Sequence, residues 1–185
     1  MRDGSKAAVL AVAVLAIGGC TVRTADSTDS TAKAPTRELV AWVDDVCNLT
    51  KWLADTQETG KRLASTTAAD ESTESEVNSY LNTASTYVDT MADEFAALPP
   101  VDIAGTDELA DGFATALNNV RSEVTNQTAD PESVHSMPLQ DKLNRAARVA
   151  DLFNSVRPAG PDLPELMRRS PDLAAAHELA PRCHP

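Results

Sequence analysis

Aromatic side chains are scarce in this 185-residue chain: two Trp, two Tyr and three Phe. A sheet needs long alternations of β-branched and aromatic residues, and none is present, so strands are not expected. There is no Gly-x-Ser-x-Gly elbow, phosphate loop, Gly-x-Gly-x-x-Gly turn or His-Glu-x-x-His helix, so the common hydrolase, nucleotide and zinc-protease chemistries lack their sequence marks. The three histidines, His135, His177 and His184, have no sequence neighbour suited to act as nucleophile or metal partner. Between Leu63 and Val120 there is no Lys or Arg at all. The formal net charge of −12 disfavours nucleic acid and anionic lipid surfaces as partners.

Cysteine is also rare, and its three positions are informative. Arg2 and Lys6 precede an apolar run from Ala7 to Ile17, followed by Gly18, Gly19 and Cys20. The run is too short to span a bilayer, which takes about 20 apolar residues. A charged start, an apolar stretch, small residues and a cysteine together resemble a bacterial lipoprotein signal with its lipobox. That resemblance implies removal of residues 1–19 and lipidation of Cys20, which would become the new N-terminus. Two or three acyl chains hold a protein stably at a membrane where one is marginal. The expected location is therefore the extracytoplasmic face of the cell membrane, lipid-anchored. Residues 20–36 are rich in Thr, Ser and Asp with almost no large apolar side chain. They read as a disordered tether with a root-mean-square reach of roughly 20–25 Å. Ser30-x-x-Lys33 matches a penicillin-enzyme motif in form only, because its partner motifs are missing.

With Cys20 set aside, Cys47 and Cys183 remain, and an even remainder in an exported protein suggests one disulfide. Two unpaired buried thiols, or a metal or redox site using Cys47, Cys183 and His184, are the alternatives. The metal reading has too few ligands in sequence, so no metal and no cofactor is expected.

Residues 37–185 suit one domain, and their apolar spacing is helical throughout. The first helix follows Pro35-Thr36. It carries one stripe of Leu39, Trp42, Val46, Leu49 and Leu53 and a second of Val40, Val43 and Cys47, and it ends or frays at Gly60 and residues 65–69. The second begins at a capping box, Thr73-x-x-Glu76, and stops at Pro99-Pro100. Its stripe is Val77, Tyr80, Leu81, Ala84, Tyr87, Val88, Met91, Phe95 and Leu98. The third starts near Thr106 and uses Leu109, Phe113, Leu117, Val120 and Val124. Asp130-Pro131-Glu132 reads as the cap of a short turn. The fourth, about 138–156, presents Leu139, Leu143, Ala146, Ala150, Phe153 and Val156. Six of the eleven prolines lie at or beyond Pro158, so a Pro-rich C-terminal covering tail with one short helix, residues 173–179, is expected. The predicted fold is all-α: an antiparallel up-down bundle of about four helices.

The layout of lipobox, polar tether, Trp42-Val43-Asp44-Asp45-Val46-Cys47 and closing Pro181-Arg182-Cys183 resembles that of small actinobacterial lipoproteins, secreted helical proteins with one disulfide. The resemblance carries no activity with it. The expectation is therefore not an enzyme but an interaction or accessory module of the cell envelope, with a small-ligand or lipid carrier as the alternative. The acidic stretch reads first as a solvated face that keeps the protein soluble. As a contact surface it is expected on the second and third helices, at Asp89, Asp93 and Glu94, facing an envelope protein of basic character. Trp52, off the main stripe, is the exposed aromatic candidate.

Overall fold

The computed structural model describes residues 34–67, 70–128 and 131–184. Cys20, the signal segment 1–19, most of the expected tether and Asp130 lie outside these residues. The described residues form seven α-helices and one 3-10 turn, with no strand among them.

Helix α1 (Arg37–Ser65) starts where the Thr36 hydroxyl accepts the Leu39 N–H at 3.2 Å, with Glu38 in the first turn where the helix dipole favours it. It does not break at Gly60. That glycine is buried within the helix because a Cβ there would overlap the Tyr80 hydroxyl and the Ala150 Cβ. Its missing side chain is what lets helices α1, α2 (Glu71–Ala96) and α5 (Leu139–Ser155) approach. The cap of α2 is Asp70, whose carboxylate accepts the Thr73 N–H at 2.8 Å. The Thr73-x-x-Glu76 box is therefore inside the helix, and Glu76 pairs with Arg62 of α1 instead. Gly105 turns the chain into α3 (Thr106–Thr128) with a φ of 93°, a value that side chains with a Cβ resist. The Thr106 hydroxyl, itself buried, donates to the Ile103 carbonyl at 2.7 Å and ties that turn.

The expected turn after residue 130 is a six-residue helix, α4 (Pro131–Ser136), which seats Val134 in the core. Helix α5 buries Leu143, Ala146, Val149, Ala150 and Phe153. Beyond Val156 the chain is more helical than its prolines suggest. Helices α6 (Leu163–Arg169) and α7 (Pro171–Leu179) begin at Asp162 and Ser170, which cap them by accepting backbone N–H groups. Proline falls within the first two positions of both, where it costs no helical hydrogen bond.

One hydrophobic cluster joins these pieces, from Leu39 and Trp42 through Phe95, Leu117 and Phe153 to Leu173 and Ala180. Helix α2 lies against α3, and α1 against α5; α7 and the final turn, Pro181–Cys183, also pack on α1. Phe95 and Phe113 stack at 4.6 Å between ring centroids where α2 meets α3. The expectation of a core role fails for Tyr87: its ring is 46% exposed. It sits on the α1 side of α2, beyond the buried stripe of Val77, Leu81, Ala84 and Val88.

Candidate functional site

A groove runs along the seam between α1 and α2. Along α1, residues 45, 48, 52, 55 and 59 recur at three- or four-residue steps and so share one face. Along α2, residues 76, 79, 83, 87, 91 and 94 do the same, with Leu98 just past its end. The two faces meet in a chain of adjoining depressions. At one end lie Asp45, Asn48, Trp52, Glu94, Leu98 and Arg182. The waist, about 370 Å³, is lined by Trp52, Asp55, Thr56, Tyr87, Thr90 and Met91. The far end adds Thr59, Glu76, Ser79, Tyr80 and Thr83. Shared lining residues, Trp52 between the first two and Asp55, Thr56 and Tyr87 between the last two, make this one continuous groove.

Its waist is aromatic and acidic. Trp52 is 45% exposed, and its ring and that of Tyr87 line the same depression. The Thr56 hydroxyl donates to the Trp52 carbonyl at 2.8 Å, which fixes the threonine methyl and oxygen against the groove floor. No Lys or Arg lines the waist. Among the described residues Asp55 and Glu94 have no ion-pair partner. Two of the end carboxylates are compensated, Glu76 by Arg62, whose Nη1 donates at 2.9 Å, and Asp45 by Arg182 at 3.3 Å, whereas Glu94 is not. Deep in the far end the Tyr80 hydroxyl is buried without a hydrogen-bond partner, and burial pushes its phenol up.

The structure separates the acidic residues that the sequence grouped. Glu94 lines the groove beside Trp52. Asp89 points to α3, with its Oδ1 2.6 Å from Arg121 Nε. Asp93, one turn on, is exposed. At 100° per residue, Asp89 and Asp93 lie far around the helix from Tyr87 and Glu94. These three acids form no single patch. Asp55, Tyr87 and Met91 are the groove residues that periodicity alone assigned elsewhere or passed over. The signal that could have found them is the second, flanking stripe on each helix.

The second constellation surrounds the disulfide. Cys47 and Cys183 are bonded, with Cα atoms 5.1 Å apart. His177 places a ring nitrogen near both sulfurs, all three ligand atoms lying within 4.8 Å of one another. The sulfurs are bonded to each other, and the ligand form of cysteine is the thiolate. His184 lies against His177, its Nε2 3.1 Å from the His177 carbonyl, with ring centroids 5.5 Å apart. Next to the bond, the Arg182 N–H donates to Asp44 Oδ1 at 2.7 Å, a second tie between the end of the described chain and α1.

A third cluster is internal. Lys142 is fully buried on α5, and its ammonium donates to Glu74 Oε1 at 2.6 Å and to the His135 carbonyl at 2.9 Å. The hydrogen bond and charge of Lys142, with a smaller contribution from His135, hold the Glu74 carboxyl below the usual carboxylate range. His135 itself is exposed. No described helix is long and apolar enough to cross a membrane. No protein-family model matches the chain, and no curated protein or solved structure matches it either.

Proposed function

We propose that this chain is a non-enzymatic interaction module of the cell envelope, lipid-anchored through Cys20, with the α1–α2 groove as its contact surface. The four long helices, in this reading, form an antiparallel up-down bundle, and the Pro-rich segment after Val156 is its cover. The lipobox-like segment and the likeness in layout to actinobacterial lipoproteins support the location. The observation that carries the contact surface is the pairing of two exposed aromatics, Trp52 and Tyr87, in one groove. Aromatics are scarce here, and five of the seven lie on the buried stripes. Tyrosine and tryptophan are enriched at interface centres because they present a large apolar face and a polar edge. The partner is expected to be basic, since the groove offers Asp55 and Glu94 without counter-charges. The histidines support no catalytic assignment: His135 is exposed and His177 and His184 engage each other.

The test is site-specific photocrosslinking on intact membranes. A p-benzoyl-phenylalanine replacing Trp52 should yield a discrete adduct that the same probe at the exposed Asp107 of α3 does not. The same pattern from both positions, or no adduct from either, overturns the contact assignment. Release of a Cys20→Ala variant into the soluble fraction is the corresponding result for the anchor; full retention at the membrane overturns it.

A further inference from the structure

We propose that the waist of the groove receives a cationic side chain, arginine first, carried on a short extended segment of the partner protein. This rests on the groove being the contact surface and adds what that surface recognises. Three features of the waist converge on a cation. Trp52 and Tyr87 flank it without stacking on each other; among the described residues the touching ring pairs are Phe95–Phe113 and His177–His184. Aromatic rings lining an open depression attract a cation through their quadrupoles, and tryptophan does so most strongly. Asp55, three residues after Trp52 and so on the same helix face, adds a carboxylate with no partner of its own. Glu94 repeats that arrangement toward the next depression. Every cation already on the groove stands at an end and is engaged: Arg182 by Asp44 and Asp45, and Arg62 by Glu76. Asp55 at the waist and Glu94 in the adjoining depression are left beside aromatic surface with no cation to balance them.

The shape selects the carrier. From Asp45 to Thr59 the groove follows α1 for on the order of 20 Å at 1.5 Å per residue. About six extended residues cover that length at 3.3 Å each. A guanidinium suits the waist better than an ammonium: it is planar, stacks on aromatic faces and presents several N–H donors at once to Asp55 and the Thr56 and Thr90 oxygens. A quaternary ammonium would share the ring attraction but has no N–H to give the carboxylate. The Met91 side chain, on the floor between the rings, offers an adaptable apolar contact to the stem of the incoming residue.

The experiment uses the full chain in detergent and a labelled hexapeptide carrying two arginines, read by fluorescence anisotropy. The control peptide has citrulline, the neutral isostere, in place of both arginines. Binding of the arginine peptide, about tenfold weaker with citrulline, is expected. Trp52→Leu and Asp55→Asn should each weaken binding about tenfold, while Asp107→Asn on α3 leaves it unchanged. Circular dichroism of each variant guards against a folding defect, and Glu94→Gln gives a second surface variant. Equal affinity for the citrulline peptide, equal loss with Asp107→Asn, or binding to phosphatidylcholine vesicles but not to the peptide would each overturn the inference. A retained photocrosslink at Trp52 with no arginine preference would overturn this inference alone; loss of that crosslink would overturn the contact surface beneath it.

Discussion

Gly60 and Tyr80 show how one residue position constrains another. A methyl at Gly60 must displace both the Tyr80 ring and Ala150. Gly60→Ala is therefore expected to cost about 1–3 kcal/mol from overpacking. The gain of up to about 1 kcal/mol in helix propensity does not offset this. Equilibrium urea denaturation measures the difference, and an unchanged or raised midpoint would contradict it. Tyr80→Phe has the opposite sign. It removes a buried hydroxyl that lacks a partner, so stability should hold or rise, and the double variant should recover part of the Gly60→Ala loss. Neither residue's role is readable from the chain. A glycine late in a helix signals an end by composition, and only the approach of two other helices makes it a packing contact. Lys142 escapes the sequence for the same reason. A lysine on a helix is normally exposed, and its burial follows from Glu74 and the His135 carbonyl, 68 and 7 residues away, converging on it.

At the scale of the element, the first turns of α2 gather three carboxylates whose proton affinity is lowered. Asp70 is held down by the Thr73 N–H, Glu74 by the Lys142 ammonium and Glu76 by the Arg62 guanidinium. A carboxyl depressed in the folded state contributes stability that is complete above its unfolded pKa and is lost as pH falls through the folded one. The contribution should therefore be intact at neutral pH and fade as the pH drops below about 4. The start of α2 should exchange its amides first in acid, as hydrogen exchange followed by mass spectrometry can show. Uniform loss of protection across all helices would contradict this. Glu74→Gln should flatten the acid limb. Lys142→Met, which keeps the stem's volume, should be milder than Lys142→Ala, whose cavity and lost contacts are expected to cost about 2–4 kcal/mol. Helix identity was largely legible from apolar period, because α1, α2, α3 and α5 each carry a long stripe that no strand could use. The start of α2 was misplaced by three residues because Asp70 competes with Thr73 as cap, and a single acid before a Glu is a weaker written signal than a capping box. Helix α6 was passed over because a seven-residue element with one buried side chain, Leu166, shows no period at all.

For the whole molecule, the covalent tie between residues 47 and 183 closes a loop with a sequence separation of 136. In the chain-entropy view such a loop is worth about 5 kcal/mol. The paired Cys47→Ser and Cys183→Ser substitutions should lower the urea midpoint accordingly and loosen α7 and the final turn first. Limited proteolysis near Ala180 should report it, and equal resistance with and without a dithiol reductant would contradict it. The pairing was open to sequence reasoning because an odd cysteine had already been set aside. The groove was not: its aromatics were sorted by single stripes, and a seam between two helices becomes visible only when the flanking stripes of both are brought together. Tyr87 continues the buried period of α2 and yet is 46% exposed in the depression it shares with Trp52 of α1.

Helix α1 is synthesised before α5, α7 and the turn Pro181–Cys183, which pack on it and cover much of its apolar surface. That surface must therefore wait, uncovered, while about a hundred further residues follow at the roughly 5–20 residues per second typical of synthesis. Cys183 follows Cys47 by 136 residues, so for roughly 7–27 s at that rate Cys47 is a free thiol with its proper partner not yet made. Mispairing with a foreign thiol, rather than failure of any single helix, is the hazard peculiar to this chain order, and a holdase that shields α1 until α7 arrives would relieve it.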